Sequence, residues 1–255
     1  MYKMVVTLSK RLAAVASFVP KGSLVADIGT DHALIPVHLV SSNKSPHAIA
    51  GDIHSGPVQA AERQVRQARL EDKIEVRKGD GLAVLQPGEA ETVIIAGMGG
   101  GTIVDILSSV DVGSLGIRRL ILQPNIGERL VRVWLRSNGW LLRDETLLEE
   151  DGLSYEIIMA ESGTPEEAAA YDEWLYSRPL PGVGRPSSDI RLLMGPLLLS
   201  SPTSLFVAKW TEYARKLGRI ISEVGKSDQP EAAAKRDQLL VEKEQLEEVL
   251  SCLSR

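Results

Sequence analysis

The stretch of residues 23–33, SLVADIGTDHA, constrains the fold of this chain more than any other part of the sequence. An apolar run leads into Asp27-Ile28-Gly29, a turn of small residues follows, and a helical pattern opens at Ala33. This order predicts the first βα unit of a nucleotide-binding sheet. Gly29 allows the backbone to approach a ligand closely, and the helix start offers free N–H groups.

The remainder of the first 162 residues alternates strand patterns with helix patterns. Apolar runs predict further strands at 47–53, 74–77, 92–96, 119–122, 140–148 and 155–160. Such alternation predicts a mostly parallel sheet with helices on both faces, and two adjacent strands at the end predict an antiparallel edge. The expected fold class is therefore α/β.

The character of the sequence changes after residue 162. The β-branched runs stop, and Thr164, Pro165 and Glu167 form a capping-box pattern that predicts a helix start. We therefore expect a first domain at 1–162 and an all-α coiled-coil domain at 163–255, whose last two helices pair as an antiparallel hairpin. Apolar residues recur there in steps of four and three, as in a coiled-coil seam, at Phe206, Trp210, Tyr213, Leu217, Ile220 and Val224.

Composition excludes several classes of function. The chain has 255 residues, and its net charge of −5 provides no global basic field, although a local patch could still bind an anion. The single cysteine, Cys252, excludes a disulfide framework and a cysteine zinc site, and the histidines show no metal-ligand spacing. We see no signal peptide and no apolar run of ~18 residues, so we expect a cytoplasmic protein with no membrane segment and no metal.

Acidic residues at the predicted strand ends indicate the kind of ligand. Asp31 stands where a dinucleotide-binding loop needs its second glycine, and it would face a pyrophosphate at close range. A sulfonium cation instead gains Coulomb energy near carboxylates such as Asp27. Asp52 is placed to accept hydrogen bonds from ribose hydroxyls, and Asp80 could accept one from an adenine amine. These acids indicate S-adenosylmethionine.

Each of these aspartates also has an ordinary structural explanation. Asp27 could cap a helix or satisfy backbone donors, and Asp52 and Asp80 could be turn residues. Their occurrence at successive strand ends favours a ligand, because the carboxyl ends of parallel strands meet at the same edge of a sheet.

Six segments, in order, carry a resemblance to a known family: ADIGTDHA, AIAGDI, VRKGDGL, IIAGMGG, LILQPN and LEEDGLSYEI. Across residues 8–162 the chain resembles the bacterial tRNA adenine-N1 methyltransferases that modify adenosine 22, the TrmK family, and the helical tail resembles that family's coiled-coil domain. The resemblance implies a class I, Rossmann-like methyltransferase sheet, S-adenosyl-L-methionine as cofactor and tRNA as partner. The expected cofactor-binding residues are Asp27, Gly29, Thr30, His32, Asp52, Ile53, Asp80, Gly81, Ala96, Gly97 and Met98.

The candidate catalytic residues are Asp31 and Asn125. Adenine N1 already carries a lone pair, so the enzyme can act mainly by positioning N1 in line with the methyl carbon and sulfur. Ala96-Gly97-Met98-Gly99 stands where enzymes that methylate exocyclic amines commonly place an Asn/Asp-Pro-Pro-aromatic motif, which disfavours that reaction. Asp31 could stabilise the adenine as it becomes cationic. Asn125 could hold the adenine edge or simply cap the chain after Pro124.

RNA binding requires cations, although charges on helices are often plain solvated faces. Arg132 and Arg136 share a predicted helix face with Arg129. Lys216 and Arg219 lie close to Arg215 in the sequence. The sequence leaves two alternatives open, a small-molecule methyltransferase and a non-enzymatic ligand sensor whose coiled coil binds a partner. It does not fix the oligomeric state, and a monomer is compatible with it. The candidate substrate-binding residues are Lys10, Arg11, Arg129, Lys209 and Arg215.

Overall fold

The computed structural model describes residues 6–226 and 229–253 of the chain. The chain divides into two compact units, Met1–Ala168 and Ala169–Arg255, while the assignment of domains to 1–162 and 163–255 stays a prediction. Among the helices of the described residues, none is long and apolar enough to cross a membrane. Within the same residues no group of three or more His, Cys, Asp and Glu side chains could hold a metal ion.

The first unit is built on a sheet with the strand order β3-β2-β1-β4-β5-β7-β6. Strands β1 to β5 pair in parallel, and β7 pairs antiparallel with both β5 and β6. The prediction of a mostly parallel sheet with an antiparallel edge is confirmed. The strands are β1 (Val25–Ile28), β2 (Ala48–Asp52), β3 (Ile74–Lys78), β4 (Thr92–Gly99), β5 (Arg119–Ile126), β6 (Trp140–Glu150) and β7 (Leu153–Ser162).

One helix precedes β1 and further helices follow β1, β2, β4 and β5, whereas a short 3-10 turn, Gly81–Val84, follows β3. Val15 and Leu39, on two of these helices, bury their side chains in one core cluster with Ile94 and Ile121 from the centre of the sheet. The chain order reverses between β1 and β4, which puts the switch point at their carboxyl ends. The helices of this unit are α1 (Lys10–Ser17), α2 (Leu34–Ser41), α3 (Ser55–Ala68), α4 (Gly100–Ser108) and α5 (Glu128–Ser137).

Strands β4 and β5 continue further than the apolar pattern predicts. Met98 pairs with Pro124 and Gly99 with Ile126, after register shifts that mark bulges. The glycine-rich segment is therefore bulged strand leading directly into α4. Gly100 begins this helix so close to the loop before α5 that an added Cβ would lie 2.2 Å from the carbonyl oxygen of Gly127.

Arg132 does not belong to the exposed basic face on which its spacing placed it. The side chain is fully buried, and its Nε donates to Glu145 of β6 at 2.6 Å while its Nη2 donates to Glu156 of β7. Both glutamates are buried as well. A buried charge is costly unless it is paired, so this ion cluster fastens α5 to the antiparallel edge of the sheet.

The second unit is helical, and its first helix begins with the predicted capping box. The N–H of Thr164 donates to Glu167 Oε2 at 2.9 Å, and the N–H of Glu167 donates to Thr164 Oγ1 at 3.2 Å. This helix, α6, starts at the end of the first unit and continues into the second. The helices are α6 (Pro165–Ser177), α7 (Ser188–Met194), α8 (Pro196–Ser200), α9 (Ser204–Val224) and α10 (Pro230–Leu253).

Helices α9 and α10 lie side by side and antiparallel, as predicted. A Cβ on Gly218 would contact Lys243 and one on Gly225 would contact Arg236, so the residue numbers run in opposite directions along the pair. Along the predicted seam Phe206, Trp210 and Leu217 are buried and Tyr213 is half-buried, whereas Ile220 is 38% exposed. The coiled-coil geometry itself stays a prediction.

Candidate active site

The predicted polar clusters lie at one edge of the sheet because the parallel strands end level with each other. Ile28 at the end of β1 pairs with Gly51 of β2 and with Ile95 of β4. Gly51 in turn pairs with Arg77 of β3, and Ile95 pairs with Leu122 of β5. The residues that follow these positions therefore share the carboxyl edge on which α/β sheets bind ligands.

The turn after β1 needs glycine for two reasons. Gly29 has a φ of +76°, and its N–H and that of Thr30 donate to the carbonyl of Gly51 at 2.8 and 3.1 Å. A Cβ on Gly29 would lie 1.8 Å from Cε of Met98. Gly29 and Met98, expected from sequence to line the same pocket, are thus in contact across the switch point.

Asp27 is a buried carboxylate beneath this turn. The Thr30 hydroxyl bonds to it, and the Thr30 oxygen accepts the N–H of Ala33 at the start of α2 at 3.1 Å. Burial raises the pKa of Asp27 to about 6; the bond from Thr30 opposes this rise, and the charge of Asp52 adds to it. A cation bound at the switch point would offset the negative charge of the buried Asp27 carboxylate.

Asp52 is a turn residue at the end of β2, and only one of its two carboxylate oxygens is used in the turn. Its Oδ1 accepts the N–H of His54 at 2.7 Å, in the manner of an Asx turn. The same carboxylate has a second oxygen that can accept from a diol. Ile53, beside it, is 49% exposed at the rim.

Asp80, Asp31 and His32 lie at the outside of the site. Asp80 is exposed just before a short 3-10 turn, in which Gly81 has a φ of +50° and packs against Ile106 of α4. Asp31 and His32 are exposed in the loop between β1 and α2, and their side chains approach within 3.4 Å.

A buried amide at the end of β5 organises the remaining part of the site. Gln123 is fully buried; its Oε1 accepts the N–H of Gly97 at 3.2 Å and also a guanidinium N–H of Arg11. Its Nε2 donates to the carbonyl of Pro124 at 2.9 Å and to Asn125 Oδ1 at 3.2 Å. Asn125 Nδ2 donates to the carbonyl of Gly97 at 2.8 Å.

Sequence reasoning did not include Gln123 among the site residues. The signal that could have found it is a polar side chain directly after an apolar strand pattern and directly before a proline. A buried side-chain amide must satisfy its hydrogen bonds, so it marks a place where the structure has arranged partners.

Most of the candidate RNA-binding cations contact residues of their own unit. Lys10 donates to the carbonyl of Glu149 at 2.9 Å, and Arg129 is half-buried and also has contacts. In the second unit Lys209 lies 5.2 Å from the ring centroid of Trp210. Arg215 makes two hydrogen bonds to Glu212, at 2.6 and 2.8 Å.

The sheet order, the glycine turn and the carboxylates that follow β1 and β2 at the switch point define a methyltransferase of the Rossmann-like class. In agreement, residues 8–158 match the family described as a methyltransferase domain. The chain is also 40% identical over 244 residues to the tRNA (adenine(22)-N(1))-methyltransferase of Bacillus subtilis strain 168, with 95% of this chain and 97% of the relative covered. It belongs to the tRNA (adenine(22)-N(1))-methyltransferase family.

Two solved structures agree with this assignment. The crystal structure of the B. subtilis m1A22 tRNA methyltransferase TrmK has a TM-score of 0.85 and 38% identity, covering 96% of this chain and 99% of the other. A Streptococcus pneumoniae protein in complex with S-adenosyl-L-methionine has a TM-score of 0.77 and 34% identity, covering 96% and 100%.

Proposed function

We propose that this protein transfers a methyl group from S-adenosyl-L-methionine to N1 of adenosine 22 in tRNA. The observation that carries this proposal is the 40% identity to the B. subtilis enzyme, which extends over 95% of the chain and so includes the helical tail. A small-molecule methyltransferase would share the cofactor residues, but it would not account for similarity along the tail.

The carboxyl edge of the sheet fits a sulfonium nucleoside. Asp27 and Asp52 provide negative charge, and Gly29 leaves the backbone open to close approach. When bound, the cofactor supplies an electrophilic methyl group on a positively charged sulfur. We assign Asp52 and Ile53 to its ribose and Asp80 and Gly81 to its adenine. The other residues assigned to it are Asp27, Gly29, Thr30, His32, Ala96, Gly97 and Met98.

The protein's part in the reaction is mainly to hold and orient the target base. Adenine N1 has a lone pair at neutral pH, so no residue has to remove a proton before attack. Asn125, exposed at the end of β5, holds the adenine edge so that N1 faces the cofactor. Asp31, exposed in the loop after β1, offers negative charge to the ring as it becomes cationic.

The target adenosine has to leave its stacked position in the tRNA, which costs a few kcal/mol. Contacts to the RNA backbone can offset this cost, and we assign them to Lys10, Arg129, Lys209 and Arg215. We assign the methyltransferase chemistry to 1–162 and tRNA binding by the helical tail to 163–255. A tRNA substrate is consistent with a cytoplasmic protein.

Mass spectrometry of digested tRNA tests this function. Purified protein is incubated with unmodified tRNA and S-adenosyl-L-methionine, with a tRNA carrying guanosine at position 22 as the matched control. We expect 1-methyladenosine at position 22 of the first tRNA and no methyl group in the control. Absence of methylation in both, or methylation at another position, would contradict the proposal.

A further inference from the structure

The hydrogen bonds around Gln123 have a fixed direction. Arg11 and the N–H of Gly97 can only donate, so the side-chain atom of Gln123 that faces them must be the oxygen. Its nitrogen then faces the carbonyl of Pro124 and one atom of Asn125. Because that nitrogen can only donate, the facing atom of Asn125 must be Oδ1.

The same logic fixes the other end of the Asn125 side chain. Its Nδ2 faces the carbonyl of Gly97, which can only accept, at 2.8 Å. The two ends of the amide therefore agree, and turning it over would set Nδ2 against the nitrogen of Gln123 and Oδ1 against a carbonyl. The orientation of this exposed side chain is thus fixed by the buried Gln123 amide together with the Gly97 carbonyl.

Beyond these bonds, Asn125 keeps one lone pair on Oδ1 and one hydrogen on Nδ2. An amide with one acceptor and one donor matches the N6 and N7 positions of adenine, with N6 donating and N7 accepting. Guanine presents two acceptors, O6 and N7, at the same edge and does not match. Binding through N6 and N7 leaves N1 of adenine uncovered.

Arg11 completes this arrangement from a distant part of the chain. It lies at the start of α1, where its backbone N–H donates to Glu150 Oε1 at 2.9 Å and its guanidinium lies 5.3 Å from the ring centroid of Tyr155. These contacts hold the guanidinium against Gln123. Arg11, one of the residues predicted from sequence to contact RNA, thus has an internal partner in the site.

We propose that Asn125 selects adenine through its N6 and N7 edge, and that Gln123, clamped by Arg11, is the positioning residue that keeps the Asn125 amide in the orientation this selection needs. The inference rests on the proposed methylation of adenosine 22 and names the specificity-determining group of that site.

The atomic test replaces N7 of the target base. A tRNA with 7-deazaadenosine at position 22 retains N1 and N6 but loses the acceptor at N7. With the unchanged enzyme, we expect kcat/KM for this tRNA to be about tenfold lower than kcat/KM for normal tRNA. With Asn125→Ala, we expect kcat/KM to be the same for both tRNAs. Equal activity of the unchanged enzyme on both tRNAs would overturn selection through N7.

The positioning role is tested by Gln123→Glu, which has the same shape and can still accept from Arg11 and Gly97 but cannot donate to Asn125. We expect kcat to fall by ~10–100-fold while the KM for tRNA changes little. In an Asn125→Ala background the same substitution should have no further effect on kcat, because its action passes through Asn125. Gln59→Glu, on the exposed side of α3, is the matched control and should keep the original kcat.

A readout independent of turnover uses the free protein. In ¹⁵N NMR spectra we expect the side-chain amide protons of Gln123 to exchange slowly, and Gln123→Glu to shift the Asn125 side-chain amide resonances. Arg11→Lys should shift the same resonances more weakly. Unchanged Asn125 resonances would overturn the positioning role. Effects of Gln123→Glu and Asn125→Ala on kcat that simply add would overturn it as well. These spectra test the positioning of Asn125 by Gln123 even if adenosine 22 proves not to be the target.

Discussion

Replacing Asp27 with asparagine should make the folded protein more stable at neutral pH. Burial raises the pKa of Asp27 from 3.8 to about 6, and one pKa unit corresponds to ~1.4 kcal/mol. The ionised carboxylate therefore lowers the free energy of unfolding by about 3 kcal/mol. Asparagine has the same size, carries no charge and can still accept from Thr30, so we expect Asp27→Asn to recover most of this amount.

The gain should depend on pH in a defined direction. Because the folded-state pKa is raised, the folded protein binds a proton that the unfolded chain releases between about pH 4 and pH 6. The stabilisation by Asp27→Asn is thus fully present above pH 6, declines as the pH falls through 6, and is absent below about pH 4.

Urea unfolding of the wild type and Asp27→Asn, followed by tryptophan fluorescence from about pH 4 to pH 8, measures this difference. Asp72→Asn, at an exposed position, is the control and should change stability by less than ~0.5 kcal/mol at any pH. A gain that is equal at all pH values, or no gain above pH 6, would refute the reasoning. If the carboxylate is retained for a cation, calorimetry should also show at least ~10-fold weaker binding of S-adenosyl-L-methionine to the variant.

Further predictions concern affinity and packing. Below pH 6 the wild type should bind S-adenosyl-L-methionine progressively more weakly as Asp27 becomes protonated, and calorimetry with Asp27→Asn should show a flatter dependence on pH. Gly100→Ala should lower the free energy of unfolding by about 1–3 kcal/mol because its methyl group would overlap the Gly127 carbonyl, whereas Gly101→Ala has open space and should not. Arg132→Ala should cost about 3–5 kcal/mol in urea unfolding because it leaves two buried glutamates without their cation; a loss below about 1 kcal/mol would contradict the role given to this cluster.

The sequence by itself determined the strands and helices of the first unit and the edge of the sheet at which the aspartates lie. The period of the apolar residues distinguishes strands from helices, and a parallel connection brings every strand's carboxyl end to one side. Asp27, Asp52 and Asp80 could therefore be placed on that edge without coordinates. The capping box at Thr164 and the antiparallel strand pair were also accessible, because these features are local in the sequence.

Only the tertiary structure decided which polar side chains face solvent and which meet each other. Arg132 has the spacing of an exposed basic face, but two glutamates from β6 and β7 hold it in the interior. Arg11 and Gln123 are 112 residues apart in the chain, so no local pattern connects them. The register shifts between β4 and β5 bring Gly97 beside Asn125 in the same way. Helix and strand periods report burial along one element, whereas a hydrogen bond between distant residues exists only once the sheet has assembled.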